Sequence, residues 1–157
     1  MKVIHAETCP NSEPFSIAIV VSRFNQDITQ ELKQGALSQL KKRNFSDELI
    51  TVVEVPGAVE IPLIVKQLAK TKAYGAILAL GAIIRGETTH YDYVCKQVSD
   101  GCQQVALEYD VPVVFGILTT ENDEQAWDRL GGKQGHKGMD AVDCAIDMYY
   151  VMKQLPY

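Results

Sequence analysis

Apolar residues fall into four short, dense runs, separated by stretches in which they recur every three or four positions. Residues 15–21 are almost continuously apolar and rich in Ile and Val, the pattern of a strand covered on both faces. Residues 49–55, 76–84 and 111–118 repeat it and predict three further strands. Between them the period lengthens. Ile28, Leu32, Ala36 and Leu40, with Leu37 alongside, predict a helix opened by Asp27 and Gln30 as a capping pair and ending near Asn44. Ile61, Ile64, Val65 and Leu68 predict a second helix, in which Pro62 is tolerated because it falls in the first turn. Val94, Val98, Cys102, Val105 and Tyr109 form the inner stripe of a third. Thr120 and Asp123 make a capping-box pattern for a short helix through Leu130, which the glycine-rich residues 131–138 break. The last helix runs to about Lys153, with Val142, Ile146 and Tyr149 as its stripe and Ala141 and Ala145 small enough for close packing.

Strands that alternate with helices imply a parallel sheet with right-handed crossovers and helices on both faces, a three-layer, doubly wound α/β sandwich. Its 157 residues show no internal repeat or linker and predict a single domain over residues 1–157. Residues 1–14 read as an arm, with a β-like piece at residues 2–6 followed by breaker-rich residues 7–14. Such an arm is either disordered or docked on a neighbour's sheet edge by strand addition, and its residues alone do not decide.

A net charge of −5 argues against a general nucleic-acid or membrane surface. Cysteines 9, 95, 102 and 144 form no C-x-x-C pair, and with three histidines there is no zinc-like spacing, so no metal is expected. Cys95 and Cys102 share a helix face and read as reduced core thiols rather than a redox pair, which suits a reducing, cytoplasmic setting. Neither an apolar signal core in the first fourteen residues nor a run of membrane-spanning length is found, so neither export nor insertion is expected.

In a doubly wound sheet every strand's carboxyl end opens on one edge, which should gather residues 22–27, 56–60, 82–90 and 115–121. The fingerprints G-x-G-x-x-G, G-x-x-x-x-G-K-[ST] and G-x-S-x-G are all missing, so dinucleotide, nucleoside-triphosphate and serine-nucleophile readings lack support. Gly86, Glu87, Thr88, Thr89 and His90 instead stand at a helix start, suited to a small phosphate with a histidine able to move a proton near neutral pH. The plainer alternative is that Thr88 and Thr89 only cap the helix while His90 is solvated. Phe24 in a polar loop could stack on a planar ligand or tuck under its loop, and Glu60 could bind hydroxyls or simply favour the helix dipole. Arg129 and Lys137 suit a phosphate, or are merely solvated surface charges. Spacing alone leaves each pair of readings open.

Arg23-Phe24-Asn25, residues 55–62 (VPGAVEIP), residues 80–91 (LGAIIRGETTHY), residues 112–122 (PVVFGILTTEN) and Gly135-His136-Lys137-Gly138, in this order and spacing, resemble the lumazine synthase family over nearly the whole chain from residue 15. The resemblance implies a flavodoxin-like fold. It also implies condensation of 5-amino-6-ribitylaminouracil with 3,4-dihydroxy-2-butanone 4-phosphate to 6,7-dimethyl-8-ribityllumazine, with no cofactor. Matched residue by residue, Phe24 would stack on the pyrimidine, and Ala58 and Glu60 would hold the ribityl chain. The strand end at Ala82, Ile83 and Ile84 would read the ring's polar edge, largely through its backbone. Gly86, Glu87 and Thr88 would cradle the phosphate with Arg129, His90 would shuttle protons, and Phe115 and Lys137 would close the site from an adjacent subunit. The implied assembly is a homopentamer, and because the turn at residues 131–138 is short, as in shell-forming relatives, the resemblance also favours further packing into a 60-subunit shell. Two positions depart from the family pattern: His136 stands where asparagine is frequent, and Ala82 where threonine or serine is. Contacts through backbone survive both changes. The competing readings are a non-catalytic flavin or lumazine carrier, which needs neither His90 nor Arg129, and a purely structural shell protein, which would assemble without affinity for substrate.

Overall fold

The central sheet is built from Ile17–Ser22 (β1), Ile50–Val55 (β2), Ala76–Ile84 (β3) and Val113–Thr120 (β4), all parallel, in the spatial order β2-β1-β3-β4. These coordinates are a computed structural model, which describes residues 1–11 and 13–156. The most continuously apolar strands lie in the middle: every residue of β1 is buried, as are all but the last of β3. Edge strand β2 alternates instead, and Val52 on it is partly exposed.

Helices Gln26–Lys42 (α1) and Lys137–Met152 (α5) pack together on one face, and Ile61–Lys70 (α2) and His90–Tyr109 (α3) on the other. The sheet thus separates two apolar cores. Ile19, Leu32, Leu80 and Ile146 are central to the first, and Val20, Val65, Ile77 and Val98 to the second. The predicted stripes face inward, with one adjustment in α5: Tyr150 is the buried tyrosine, while half-buried Tyr149 stacks on Phe15 at 3.7 Å between ring centroids.

Several local expectations change. Residues 2–6 pair with no strand among the described residues of the chain; Val3 is exposed and a single helical turn, Ala6–Thr8, follows. The arm lies along its own α5, where the Gln154 side-chain amide donates to the His5 carbonyl at 2.8 Å and the Tyr150 hydroxyl donates to the Glu13 carbonyl. Helix α1 starts at Gln26 from Asn25 rather than from an Asp27 cap, since Asn25 takes the left-handed conformation (φ 60°). Strand β4 runs on to Thr120, so the short helix Asp123–Asp128 (α4) is capped not by Thr120 but by Asn122, whose side chain accepts from the Gln125 N–H at 2.9 Å. The glycine-rich stretch is a tight hairpin rather than only a loop, pairing Leu130–Gly132 (β5) with Gly135–His136 (β6).

Candidate active site

The chain leaves β1 toward β2 and later returns to the other side of β1 as β3, so the β1/β3 boundary is the topological switch point, where parallel sheets open a crevice. A cavity of about 330 Å³ lies there. Three strand ends build it. Phe24 and Asn25 follow β1, Gly57 to Glu60 follow β2, and Ala82 to Ile84 close β3. The β3–α3 turn completes it with Gly86, Thr88, His90 and Tyr91.

Local chemistry fixes each piece. The N–H groups of Arg23 and Phe24 donate to the carbonyls of Val55 and Pro56 at 2.8 and 2.9 Å, carrying the β1–β2 ladder past the last paired residues. Asn25 then turns left-handed, and its side-chain amide donates to the Ala82 carbonyl at 3.0 Å. That turn holds Phe24 outward with 70% of its surface exposed. A ring so exposed is no staple for its own loop, which removes one of its two readings.

Residues 58–60 make a single turn before α2, and the Glu60 carboxylate folds back toward Gly57. Pro62 sits in the first turn of α2, as its missing N–H requires. A Cβ built on Gly86 would meet nothing within 4 Å, so the backbone there is open to a ligand. At the start of α3 the His90 N–H donates to the Thr88 hydroxyl at 3.3 Å, whereas Thr89, at the cap position, makes no side-chain capping bond. Only half of the plain capping reading therefore stands.

Arg85 points away from the cavity and ties the turn down. Its guanidinium donates to Glu121 at 2.6 Å and to Asp92 at 3.3 Å, and lies 4.4 Å from the centroid of the Tyr91 ring. These hydrogen bonds raise the Arg85 pKa further. Burial raises the Tyr91 pKa, as does its hydrogen bond with Cys95; the Cys95 thiol is raised chiefly by burial.

The expected site residues divide into two groups. Phe24, Ala58, Glu60, Ala82, Ile83, Ile84, Gly86, Thr88 and His90 share the cavity, whereas Glu87, Phe115, Arg129 and Lys137 do not line it. Phe115 falls within the strand predicted at residues 111–118, short of the strand-end loop expected over residues 115–121. It lies in the middle of edge strand β4 opposite Ala79, and it lines a groove with Lys137, Cys144 and Met148. Arg129 and Lys137 line another hollow, of about 240 Å³, beside the carboxyl end of β4. No lysine or arginine is among the described residues lining the cavity itself.

The model of the 6,7-dimethyl-8-ribityllumazine synthase family matches residues 14–153. The chain belongs to this family. Relatives named 6,7-dimethyl-8-ribityllumazine synthase from two strains of Coxiella burnetii are 56% and 55% identical over 141 residues, covering 90% of this chain and 93% of each relative.

In this lumazine synthase family member the cavity also uses residues to which sequence reasoning gave no role. Asn25, Gly57, Val59, Tyr91 and Val94 all line it. Asn25 carried a signal, since asparagine tolerates the left-handed turn better than other non-glycine residues. Val94 reads from sequence only as part of the helix stripe. No group of His, Cys, Asp and Glu capable of holding a metal ion occurs among the described residues, and no described helix is long and apolar enough to cross a membrane.

Proposed function

We propose that this protein catalyses the condensation of 5-amino-6-ribitylaminouracil with 3,4-dihydroxy-2-butanone 4-phosphate to 6,7-dimethyl-8-ribityllumazine, releasing phosphate and water, in riboflavin biosynthesis. The observation that carries the reading is the cavity at the switch point, where an exposed aromatic face, the strand-end backbone of Ala82 to Ile84 and the Gly86–Thr88 turn with His90 all meet.

In the proposed complex the pyrimidine stacks on Phe24 while the carbonyl and N–H groups at the end of β3 face its polar edge. Ala58 and Glu60 hold the ribityl hydroxyls, with the Glu60 carboxylate as acceptor. The phosphorylated ketone lies with its phosphate against the backbone of Gly86 and Glu87 and the Thr88 hydroxyl, with the Glu87 side chain outside the cavity, at the positive end of the 20-residue helix α3. Amine and ketone form an imine with each other, not with a lysine, and His90 carries protons during water loss and phosphate departure. Holding the two partners together supplies much of the acceleration.

No lysine or arginine among the described residues lines this cavity to meet a phosphate dianion, and the ring of Phe24 is left exposed. Both gaps are filled if Phe115, Arg129 and Lys137 reach the cavity of the next subunit, which suits the homopentamer with five shared sites that the family resemblance implies. The turn at residues 131–138 is short, as it is in shell-forming members of the family, and on that resemblance such rings pack into a 60-subunit shell. The setting is cytoplasmic. Mixing purified protein with both substrates should produce the lumazine chromophore above the uncatalysed background. Failure to exceed that background would reject the enzyme and leave the carrier reading. Light scattering separates pentamer, decamer and shell, and a monomer that turns over at full rate would reject the shared site.

A further inference from the structure

We infer that His136 is a positioning residue that sets Arg129 and Lys137 as one cationic unit, an inference that rests on the function proposed above. His136 occupies the cap position of α5, and its Nδ1 accepts from the Gly138 N–H at 3.1 Å and the Met139 N–H at 3.4 Å. Acceptance at Nδ1 requires the ring tautomer protonated at Nε2. The ring lies against α1: a Cβ built on Gly35 would overlap Cε1, Nε2 and Nδ1 of His136. A flat ring and a bare helix backbone therefore fit as a pair, and the ring cannot swing toward α1 without collision.

Two backbone contacts pass this constraint to the cations. His136 pairs with Leu130 across the hairpin, and the next residue, Lys137, donates its N–H to the Arg129 carbonyl at 2.8 Å. Arg129 and Lys137, eight positions apart, are thus joined main chain to main chain, and their side chains line the same hollow beside β4. The Arg129 guanidinium donates to the Gln125 carbonyl at 2.8 Å, which orients it from the other side. Losing the His136 acceptor frees the first turn of α5, and with it the position of Lys137 relative to Arg129.

The test is steady-state kinetics of the assembled protein with three variants. His136→Ala removes the cap and the ring. His136→Ser keeps a capping oxygen without the ring. Gly35→Ala leaves His136 unchanged but pushes its ring, and with it the Nδ1 acceptor, away from the Gly138 and Met139 N–H groups. His136→Ala and Gly35→Ala should raise KM for the phosphorylated ketone about fivefold, the size expected from a lost N-cap, with KM for the pyrimidine within about twofold. His136→Ser should return the ketone KM close to wild type. Equal changes in both KM values, or a serine variant no better than alanine, would overturn the inference in favour of a role in stability only. If His136→Ala does not assemble, Gly35→Ala against His136→Ser makes the same comparison. Calorimetric titration of the same variants with inorganic phosphate keeps the inference separate from the proposed reaction: phosphate affinity should fall in His136→Ala and Gly35→Ala even if the wild type makes no lumazine, and unchanged affinity in that case refutes it.

Discussion

The side-chain amide of Asn25 donates to the carbonyl of Ala82 at 3.0 Å, joining the left-handed turn after β1 to the strand end that forms the cavity floor. The bond spans 57 positions in sequence and holds Phe24 in the loop above that floor. Asn25→Ala should lose about 1 kcal/mol from the hydrogen bond and a further 1–2 kcal/mol from left-handed strain. Asn25→Gly loses only the first. Urea denaturation should rank wild type above the glycine variant and glycine above alanine, and equal losses in both variants would mean that the turn carries no strain.

Phe24 offers the sharpest separation of binding from folding. With 70% of it exposed, Phe24→Ala should leave stability within about 0.5 kcal/mol of wild type. Removing the stacking face should raise KM for the pyrimidine about tenfold while leaving that for the phosphorylated ketone nearly unchanged. A loss of thermal stability without a change in KM would return Phe24 to a packing role.

His90 lines the cavity in the first turn of α3. His90→Ala should lower kcat by a factor at or below the 10² to 10⁴ typical of general acid–base help, because substrate proximity persists without it. Turnover at the wild-type rate would remove His90 from proton transfer.

Arg129 lies outside the cavity of its own chain. Arg129→Ala should raise KM for the phosphorylated ketone far more than KM for the pyrimidine. A shared site has a further consequence. Mixed assemblies of Phe24→Ala and Arg129→Ala subunits contain some interfaces with both residues intact, so their specific activity should exceed the mean of the two pure variants. Activity equal to that mean would place Arg129 and Phe24 in the same subunit's site, or in unrelated ones.

Burial pushes the Cys102 thiol up to about 11 from an ordinary value of 9.0. The folded chain then keeps this proton in a range where the unfolded chain has lost it. Stability from the neutral buried thiol is complete below about pH 9 and declines as the pH rises to about 11. Unfolding free energies measured from pH 8 to 11 should therefore fall less steeply in Cys102→Ala than in wild type, although the alanine variant is weaker at pH 8 for lack of packing. Parallel curves would show that Cys102 does not titrate differently on folding.

The order of strands and helices was legible in the chain because apolar period is a local property. The continuous runs that became β1 and β3 and the four-residue recurrence in α1 needed no knowledge of distant neighbours. Nine of the expected site residues lie together for the same reason: they follow strand ends, and parallel strands bring those ends to one edge. Lateral strand order, by contrast, depends on contacts between residues far apart in sequence, and it alone put the crevice between β1 and β3. Within the single chain residues 2–6 pair with no strand among the described residues, since a strand exists only with a ladder partner. Tertiary packing set Arg129 and Lys137 beside β4, outside their own chain's cavity, where only a neighbouring subunit's cavity is left for them to serve, and seated the His136 ring on Gly35, a fit that depends on two helices meeting backbone to ring. What the sequence determined was which segments fold and where chemistry could collect; what the tertiary structure decided was which of those residues one chain can bring together, because that is set by packing across the sheet and not by order along it.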